Sequence, residues 1–347
     1  MNAKIRNFFI DVLTSQTFAP VGRFAVGQGV PIFMLHRVHN TNDTNDYEHA
    51  ISAIYLRQCL NYLVENKYTF LSLNELVLAL TSHQSLPNKS IVFTMDDGFE
   101  DQAKIAAPIF LEFNCPVTIF LITDMLDNKL WPWDDKVAYL INSCNRDSID
   151  ITICDENYHI LLNSENAKHK ARETIRNAIK AAPFNDLEKI LSQLESATSL
   201  SIPVSAPVEY KAMTWDLARE YEKKGVDFGP HSMSHRILSK LDTESMQQEI
   251  LGSWQRIRDE LVSPKPVFCY PTGRYCDFGS REVKFLRESG FTGAVSTIPA
   301  QVRQKLVDNY YVYGLPRHGL PSTFHDFKMY CSWIEYAKER NLRFWPS

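Results

Sequence analysis

The sequence predicts an α/β fold in which parallel strands close, or nearly close, into a barrel. Short apolar runs rich in β-forming residues alternate along the chain with segments of helical spacing, and this alternation is typical of a parallel sheet. The chain has 347 residues, which is enough for one large barrel with insertions or for two modest domains. The number of alternating units favours the barrel.

The elements follow one another in a regular order. Strand-like apolar runs occupy residues 30–35, 90–95, 116–122, 225–230, 266–270 and 293–297. Helical spacing occupies residues 3–14, 53–66, 73–81, 101–114, 243–262 and 280–289. In the second of these helices, Leu56, Leu60 and Leu63 share one side, which predicts a buried face. Ser280 is the expected N-cap of the last helix, and Gly290 is expected to end it.

Residues 128–210 interrupt this order. Within them, Ile149–Ile153 and Tyr158–Leu162 flank a polar turn and predict a hairpin, and residues 165–196 are charged and helical. We interpret residues 128–210 as an insertion over the strand ends, where barrel enzymes place loops that select the substrate. Stabilisation or a dimer contact is the alternative. The predicted organisation is an amphipathic helix and lead-in at 1–29, a barrel at 30–127 and 211–325, the insertion, and a C-terminal helix and tail at 326–347.

Charge and cysteine content exclude some classes of protein. The net charge is −4 and no basic cluster occurs, so nucleic-acid binding is not expected. The seven cysteines are scattered without a Cys-x-x-Cys spacing, which favours reduced thiols over a disulfide framework. Neither a secretory signal nor an apolar stretch of membrane-spanning length is found. These observations favour a cytoplasmic location.

The first predicted helix is amphipathic. Five apolar side chains fall on one of its faces, with Lys4 and Arg6 beside them: Ile5, Phe8, Phe9, Val12 and Leu13. Packing of this face on the barrel, or on a second subunit in a homo-oligomer, is favoured, since the segment is short and weakly basic. Weak association with a membrane surface is the alternative.

Two acidic residues and two histidines suggest a hydrolytic metal centre. Asp96 and Asp97 follow an apolar strand and precede Gly98, and His231 and His235 follow a second short strand. Alone, the acidic pair is typical of a solvated turn, and the histidine pair of surface or core histidines. Their position at strand ends favours catalysis, because catalytic groups of α/β barrels cluster there. Two imidazoles and one carboxylate leave coordination positions open, as in catalytic zinc sites.

At these residues the chain resembles the polysaccharide deacetylase family, the carbohydrate esterases with a NodB homology domain. The first family motif reads Thr94-Met95-Asp96-Asp97-Gly98, and the second reads His231-Ser232-Met233-Ser234-His235. Further similarities occur at Phe33–Val38, Pro116–Leu121 and Pro271–Gly273. The resemblance runs from about residue 30 to about residue 325. It implies a distorted (β/α) barrel, similar to a TIM barrel, with about seven strands.

The resemblance also implies the roles of the motif residues. Asp97, His231 and His235 become the metal ligands and Asp96 the general base. Both acids reach one site only if the strand ends or bends there, which Gly98 permits. Zinc is the expected metal, and cobalt, nickel or iron also suit this ligand set. The backbone N–H of Thr272, in the loop after Tyr270, is implied as the donor to the oxyanion.

Other positions are less well defined. The resemblance suggests His318 as the general acid that protonates the amine, although the spacing is Leu-x-x-His, and neighbouring Arg317 matches a variant of that motif. The family arginine that orients the base is not evident, since Cys269 stands near its expected place. His36 either lines the site or is a core histidine. Trp131 stacks on a sugar ring or packs in the core, as do Trp133 and Trp215.

The sequence therefore predicts a metal-dependent hydrolase that removes an N-acetyl group from an N-acetylated sugar. The resemblance implies attack on the acetamide by a water molecule at the metal, with Asp96 as the base. The expected setting is a cell-surface polysaccharide or glycolipid pathway. Two alternatives remain, an O-acetyl esterase acting on a carbohydrate and a catalytically inactive barrel that binds carbohydrate.

Overall fold

A parallel sheet forms the centre of the protein, as the alternation of strands and helices predicts. The computed structural model describes residues 3–40, 50–182, 186–303 and 310–339. Its strands are β1 (Ile32–Leu35), β2 (Arg37–His39), β3 (Ala50–Ser52), β4 (Thr69–Phe70), β5 (Ser90–Met95), β6 (Val117–Leu121), β7 (Ser148–Ile153), β8 (Glu156–Leu161), β9 (Asp227–Pro230), β10 (Val267–Cys269), β11 (Gly293–Val295) and β12 (His318–Gly319).

Seven of these strands surround a common interior. The main sheet has the order β12-β1-β5-β6-β9, with every pair parallel and with β4 also paired to β5. Strands β10 and β11 form a second parallel pair. Val295 of β11 bridges to Leu315, just before β12, and the Lys265 N–H before β10 donates to the Phe228 carbonyl of β9 at 2.7 Å. The second pair thus fills the gap between β9 and β12 and gives the distorted barrel.

Helices cover the outside of the barrel and build the insertion. They are α1 (Ala3–Thr14), α2 (Ala19–Val26), α3 (Ala53–Glu65), α4 (Leu73–Thr81), α5 (Ala107–Glu112), α6 (Thr123–Leu126), α7 (Trp133–Ser143), α8 (Glu165–Ala181), α9 (Leu187–Thr198), α10 (Trp215–Lys223), α11 (Thr243–Glu260), α12 (Ser280–Glu288), α13 (Phe324–Tyr330) and α14 (Trp333–Glu339). A π-helical turn, Gln102–Ala106, leads into α5.

Local details differ from three sequence expectations. The N-cap of α12 is Gly279 and not Ser280, which is the first helical residue; the Glu282 side chain accepts the Gly279 N–H at 2.8 Å. The helix expected at 101–114 begins as a π-helical turn and ends at Glu112. The helical stretch expected at 165–196 is two helices, α8 and α9.

The insertion has a hydrophobic core of its own. Helices α7, α8 and α9 pack on the β7–β8 hairpin through side chains removed from solvent, among them Val137, Leu140, Ile175 and Leu194. Burial of such a core stabilises the insertion as a unit, at roughly 1.5–3 kcal/mol for each large aliphatic side chain. The insertion therefore presents one rigid face, formed by α7 and α8, to the carboxyl ends of the barrel strands.

The N-terminal helix packs on the barrel through only part of its surface. Ile10 is buried, and Arg6 and Asp11 form ion pairs with Asp326 and Lys328 of α13. Most of the apolar face predicted for this helix stays exposed, including both phenylalanines. Packing on α13 thus accounts for one edge of the helix and leaves the rest of its apolar surface in contact with solvent.

Two further expectations concern location. All seven cysteines are free thiols; five are buried and two, Cys154 and Cys276, are exposed. Across the described parts of the chain, every helix is too short or too polar to cross a membrane.

Residues 340–347 of the predicted C-terminal tail lie outside the described residues.

Candidate active site

A cavity of about 840 Å³ lies at the carboxyl ends of the barrel strands, beneath the insertion. Asp96, Asp97, His231 and His235 line it from the barrel side. Helices α7 and α8 line it from the insertion side. The two sequence motifs, more than 130 residues apart in the chain, are thus brought to one place by the parallel arrangement of β5 and β9.

The end of β5 turns sharply so that two consecutive carboxylates reach the cavity. Asp97 and Gly98 have φ values of 85° and 88°, in the left-handed region that is costly for residues other than glycine. A Cβ at Gly98 would lie 2.8 Å from Leu121 Cδ2. Glycine is therefore required there, and the bend that both acids need to reach one site begins at Asp97 itself.

Asp97, His231 and His235 form a set of converging ligand atoms. The Nε2 atoms of the two histidines lie 3.5 Å and 3.8 Å from Asp97 Oδ1, and all three ligand atoms fall within 4.8 Å of one another. Ligands about 2.1 Å from a tetrahedral zinc ion lie about 3.4 Å apart. Asp97 Oδ1 is buried and has no hydrogen-bond partner among the described residues. The donor set and its spacing fit a small divalent metal ion.

The structure fixes the tautomer of one candidate ligand. The His231 ring places Nδ1 2.8 Å from the Cys269 carbonyl oxygen, and since a carbonyl only accepts, Nδ1 carries a proton and Nε2 is the nitrogen that faces Asp97. Burial lowers the pKa of His231, but Cys269 and Asp97 outweigh it and raise the pKa above its usual value, so a metal ion bound at Nε2 would replace a proton there. For His235, burial is the largest influence and lowers the pKa. A neutral imidazole is the form that binds a metal.

Glu249 holds the loop that carries both histidines, and the sequence pattern did not identify it. Its carboxylate on α11 accepts the backbone N–H groups of Met233 and Ser234, each at 2.9 Å, and also the Ser234 hydroxyl. Ser232 and His235 adopt positive φ values, 62° and 61°, so the loop depends on such contacts. A glutamate 15 residues after Ser234 carries no local signal of this role.

Arg317 is the partner of Asp96. Its Nη1 and Nη2 donate to Oδ1 and Oδ2 of Asp96, both at 2.7 Å, and its Nε donates to the Ser296 carbonyl oxygen at 2.8 Å. Arg317 has no exposed surface. Burial alone raises the pKa of Asp96, but the guanidinium outweighs this effect and lowers the pKa below its usual value. Asp96 is therefore an oriented carboxylate over the ordinary pH range.

Cys269 occupies the place where the family resemblance led us to expect an arginine. Its Sγ lies 3.2 Å from Arg317 Nη2, so the guanidinium reaches the same position from β12 instead of from β10. Asp96, His231 and Cys269 form a second group of close donor atoms. We prefer the Asp97 set as the metal site because Arg317 already engages both oxygens of Asp96.

Thr272 and Tyr270 lie on the loop after β10. Thr272 lines the cavity with φ 57°, its hydroxyl donates to Asp277, and its backbone N–H donates to no group within the described residues. Tyr270 borders the cavity, but its hydroxyl points away and donates to the Tyr313 carbonyl at 2.9 Å. The ring stacks on Phe278 with centroids 4.0 Å apart. Thr272 thus offers a donor to the cavity, and Tyr270 packs beneath it.

The structure does not place His318 in the cavity. Its Nε2 lies 3.1 Å from Glu339 Oε1, and its ring packs on Tyr330. Neighbouring side chains of a strand point to opposite sides, so Arg317 faces the barrel interior and His318 faces the helices. This corrects two expectations: the position of His318 argues against its role as general acid, and Arg317 lies behind Asp96 and not against a substrate.

The remaining candidates divide between cavity and core. His36 lines the cavity at the end of β1. Burial is the largest influence on the pKa values of Asp96 and Asp97 and raises them. The direct partners of the two acids lower these pKa values, and His36 contributes in the same direction. Trp131 is 3% exposed, packs on Tyr210 and donates its Nε1–H to the Pro203 carbonyl. The prediction that Trp131 stacks on substrate is not supported by this position.

The two other tryptophans singled out from the sequence are also packed inside the protein. Trp133 belongs to the core of the insertion and is 7% exposed. Trp215 is 9% exposed and donates its Nε1–H to Asp127 Oδ1 at 2.8 Å. Neither side chain lines the cavity. Both therefore pack in the core, which was the alternative to stacking on a sugar ring.

Comparison with known proteins agrees with this geometry. The family profile described as Polysaccharide deacetylase matches residues 83–292, well over half of the chain. The putative polysaccharide deacetylase YxkH of Bacillus subtilis is 27% identical over 100 residues, which are 29% of this chain and 34% of that protein. The match to that curated relative thus spans about a third of its length.

Solved structures of deacetylases share the fold. The deacetylase PplD of Streptococcus pyogenes, in complex with acetate, has a TM-score of 0.57 at 16% identity, over 88% of this chain and 98% of that one. IcaB from Ammonifex degensii has a TM-score of 0.55 at 14% identity, over 89% and 98%. A de-N-acetylase from Aggregatibacter actinomycetemcomitans has a TM-score of 0.53 at 16% identity, over 87% and 100%.

The fold, the order of the two motifs and the family match thus lead to one conclusion: this chain belongs to the polysaccharide deacetylase family.

Proposed function

We propose that the protein is a metal-dependent N-deacetylase acting on an N-acetylated sugar in the synthesis of a cell-surface polysaccharide or glycolipid. The observation that carries this proposal is the pairing of Asp96 with Arg317 beside the convergent set of Asp97, His231 and His235. A buried carboxylate kept ionised next to three converging ligands is the arrangement that hydrolysis by activated water requires. A de-N-acetylase among the similar structures supports nitrogen over oxygen as the acetylated atom.

Each residue has a stated part in this reaction. Asp97, His231 and His235 would hold a divalent metal, for which we choose zinc; when bound, it would supply Lewis acidity that lowers the pKa of water and polarises the acyl oxygen. Asp96 accepts the proton of the attacking water, and Arg317 keeps Asp96 ionised and oriented. The Thr272 backbone N–H faces the oxygen on which negative charge develops.

The leaving amine needs a proton, because an amide anion is too basic to depart unprotonated. His318 is buried against Glu339 on the far side of β12. His36 lines the cavity together with Asp96 and Asp97. We therefore assign the proton transfer to His36.

Acetate release from a panel of N-acetylated and O-acetylated sugars tests the proposed function. We expect release from N-acetylated members, at a rate that falls at least a hundredfold in Asp96→Asn, since a general base contributes roughly that much. Faster release from O-acetylated members would favour the esterase alternative. Binding of the sugars without any release would favour the inactive carbohydrate-binding barrel.

The assignment of His36 has its own test. His36→Gln should slow the hydrolysis of an acetamide far more than that of an activated acetate ester, because an activated leaving group departs without protonation. His318→Gln serves as the control and should affect neither substrate selectively. An equal loss on amide and ester in the His36 variant would reject the assignment.

A further inference from the structure

One face of α8 presents a row of basic side chains to the cavity that contains the candidate metal site. His169, Arg172, Arg176 and Lys180 all line this cavity. They are spaced by three or four residues, so they lie on successive turns of one helix face. The row spans about 16 Å along the helix, at about 1.5 Å per residue. We call these four residues the cationic face of α8.

The arginines of this face are held in place by α7. Arg172 is 5% exposed, and its Nη1 donates to the side-chain oxygen of Asn142. Arg176 donates through Nη2 to the backbone carbonyl of Asp134 at 3.3 Å. Burying a guanidinium beside a cavity is costly unless it is hydrogen-bonded, and these contacts offset the cost. The face is thus positioned before any ligand arrives.

Lys180 is the last residue of the row and lines the same cavity as His235 and Thr272. Its charge lowers the pKa of His235, although burial is the larger cause. The pKa of Lys180 is itself lowered, first by burial; the charge of Asp134 opposes this effect, and Arg274 on the loop after β10 adds to it. Among the described residues, the Lys180 ammonium group has neither a hydrogen-bond nor an ion-pair partner. Lys180 therefore offers an ammonium group to the cavity that the histidine loop and Thr272 also line.

The end of α8 is tied to the histidine loop. The ammonium group of Lys240, which follows that loop, donates to the backbone carbonyls of Lys180 and Ala182. These bonds satisfy carbonyl groups at the C-terminus of the helix and reduce the negative field that the helix end would place beside Lys180. The backbone of Lys180 is therefore held by the side chain of Lys240, without involving the Lys180 ammonium group.

Acidic side chains also line the cavity, and burial weakens the charge of one of them. Asp134, Asp135 and Glu165 stand against the two arginines and the lysine of the cationic face. Burial, with a contribution from neighbouring Asp134, raises the pKa of Asp135 well above its usual value. Asp135 therefore opposes the basic side chains less than an ordinary carboxylate would, and Asp96 is already paired with Arg317. Arg172, Arg176 and Lys180 thus face Asp134, Glu165 and a third acid, Asp135, whose charged form is disfavoured.

The cationic face of α8 differs chemically from a site that binds neutral sugars. Neutral sugar rings are bound by stacking on exposed aromatic side chains, yet Trp131 and Trp133 of the insertion are both buried. Arginine and lysine, by contrast, are the residues that recognise phosphate and carboxylate groups. The cationic face of α8 is therefore suited to bind an anionic group.

We propose that the cationic face of α8 binds an anionic group of the substrate, with Lys180 contacting the anion nearest to the acetylated sugar. This proposal rests on the proposed deacetylase function and narrows the substrate to N-acetylated sugars that carry phosphate or carboxylate. Both groups offer the same chemistry, an oxyanion about one sugar unit from the acetamide. The phosphate would come from a sugar phosphate or diphosphate, and the carboxylate from an acidic sugar.

The test compares Lys180→Gln with Lys170→Gln, a matched control on the exposed side of the same helix. Equilibrium binding is measured by calorimetry for three probes: methyl N-acetylglucosaminide, N-acetylglucosamine 1-phosphate and N-acetylglucosaminuronic acid. We expect the wild type and the control to bind at least one charged probe at least tenfold more tightly than the neutral probe. Lys180→Gln should lose most of this preference, and Lys180→Arg should retain it.

The outcomes separate this proposal from the proposed function. Equal binding of neutral and charged probes by the wild type, or an unchanged preference in Lys180→Gln, would overturn the proposal. Acetate release is measured on the same three probes. A charge preference without any acetate release would retain the anion site and reject the deacetylase function. Release at equal kcat/KM from neutral and charged probes would retain the function and reject the anion site. A preference for one charged probe identifies the source of the anion.

Discussion

Replacing Arg317 by Met should leave Asp96 as a buried carboxylate without its cation. The side chain of Arg317 is entirely buried, and that of Asp96 is 2% exposed. Both oxygens of Asp96 lose a charge-assisted hydrogen bond of 2.7 Å in this variant. Removal of one partner from a buried ion pair costs about 3–5 kcal/mol, because the remaining charge is uncompensated. We expect a loss of this size in the free energy of unfolding at pH 7.5.

The loss should depend on pH in a defined direction. In the wild type the pKa of Asp96 is lowered, so the pair contributes stability above the unfolded-state pKa of about 4, and this contribution is lost as the pH falls through the folded-state pKa. Without Arg317, burial raises the pKa of Asp96, and a tenfold change in the proton affinity of a group corresponds to about 1.4 kcal/mol. The difference in stability between wild type and variant should therefore shrink as the pH falls from 7.5 towards 4.5.

Urea unfolding at several pH values, combined with a double-mutant cycle, is the assay. Asp96→Asn in the Arg317→Met background removes the uncompensated charge and should recover more than half of the lost stability. Arg256→Met is a matched control, since its ion pair with Asp127 is partly exposed, with 31% of the arginine side chain accessible, and should cost about 1 kcal/mol or less. A loss in Arg317→Met that is independent of pH, with no recovery in the double variant, would refute this reasoning.

Three further predictions concern the same site. Asp96→Asn should retain bound metal and lose most turnover, whereas Asp97→Asn should lose metal affinity first; metal analysis after dialysis separates the two, and equal metal loss would contradict the assignment. Glu249→Gln should weaken metal binding about 10- to 100-fold, although Glu249 does not contact the metal site, because Glu249 holds the loop that carries both histidines. Competition with a chelator measures this affinity. An unchanged affinity would show that the contact of Glu249 with the loop does not affect metal binding. His318→Gln should keep kcat within twofold while lowering Tm, because His318 is buried beside Glu339; a large loss of kcat in a folded variant would return it to the catalytic group.

The barrel and the metal set were accessible from the sequence because their signals are local. The strand at Ser90–Met95 is mostly apolar and is followed by two acids and a glycine, and the histidine pair follows a strand of its own. Parallel strands bring such ends to one edge of a sheet. Two short motifs at strand ends therefore predict a shared site without knowledge of the packing between them.

The partner of Asp96 was not accessible in the same way. Arg317 is 221 residues from Asp96 in the chain, and Cys269 stands near the place where an arginine was expected. Strand β12 has only two residues, which is too short to show a period of two from sequence. The choice between Arg317 and His318 as the residue that faces the interior thus required the register of β12 against β1.

The chemistry of the insertion also depended on tertiary structure. The hairpin was predictable from its alternation, and the helices from their composition. The sequence contains the basic spacing of His169, Arg172, Arg176 and Lys180, but a charged stripe on a helix usually faces solvent. Only the docking of α7 and α8 over the strand ends turns that stripe towards the cavity.

The central claim is that Asp97, His231 and His235 together bind one divalent metal ion, and a crystal structure of the zinc-loaded protein, with anomalous data at the zinc edge, tests it most directly. The account predicts a single strong anomalous peak about 2.0–2.2 Å from Asp97 Oδ1 and from both Nε2 atoms, and its loss in His235→Ala crystals of the same fold. A peak on Asp96, His231 and Cys269 instead, or one that persists unchanged in His235→Ala, would contradict the claim.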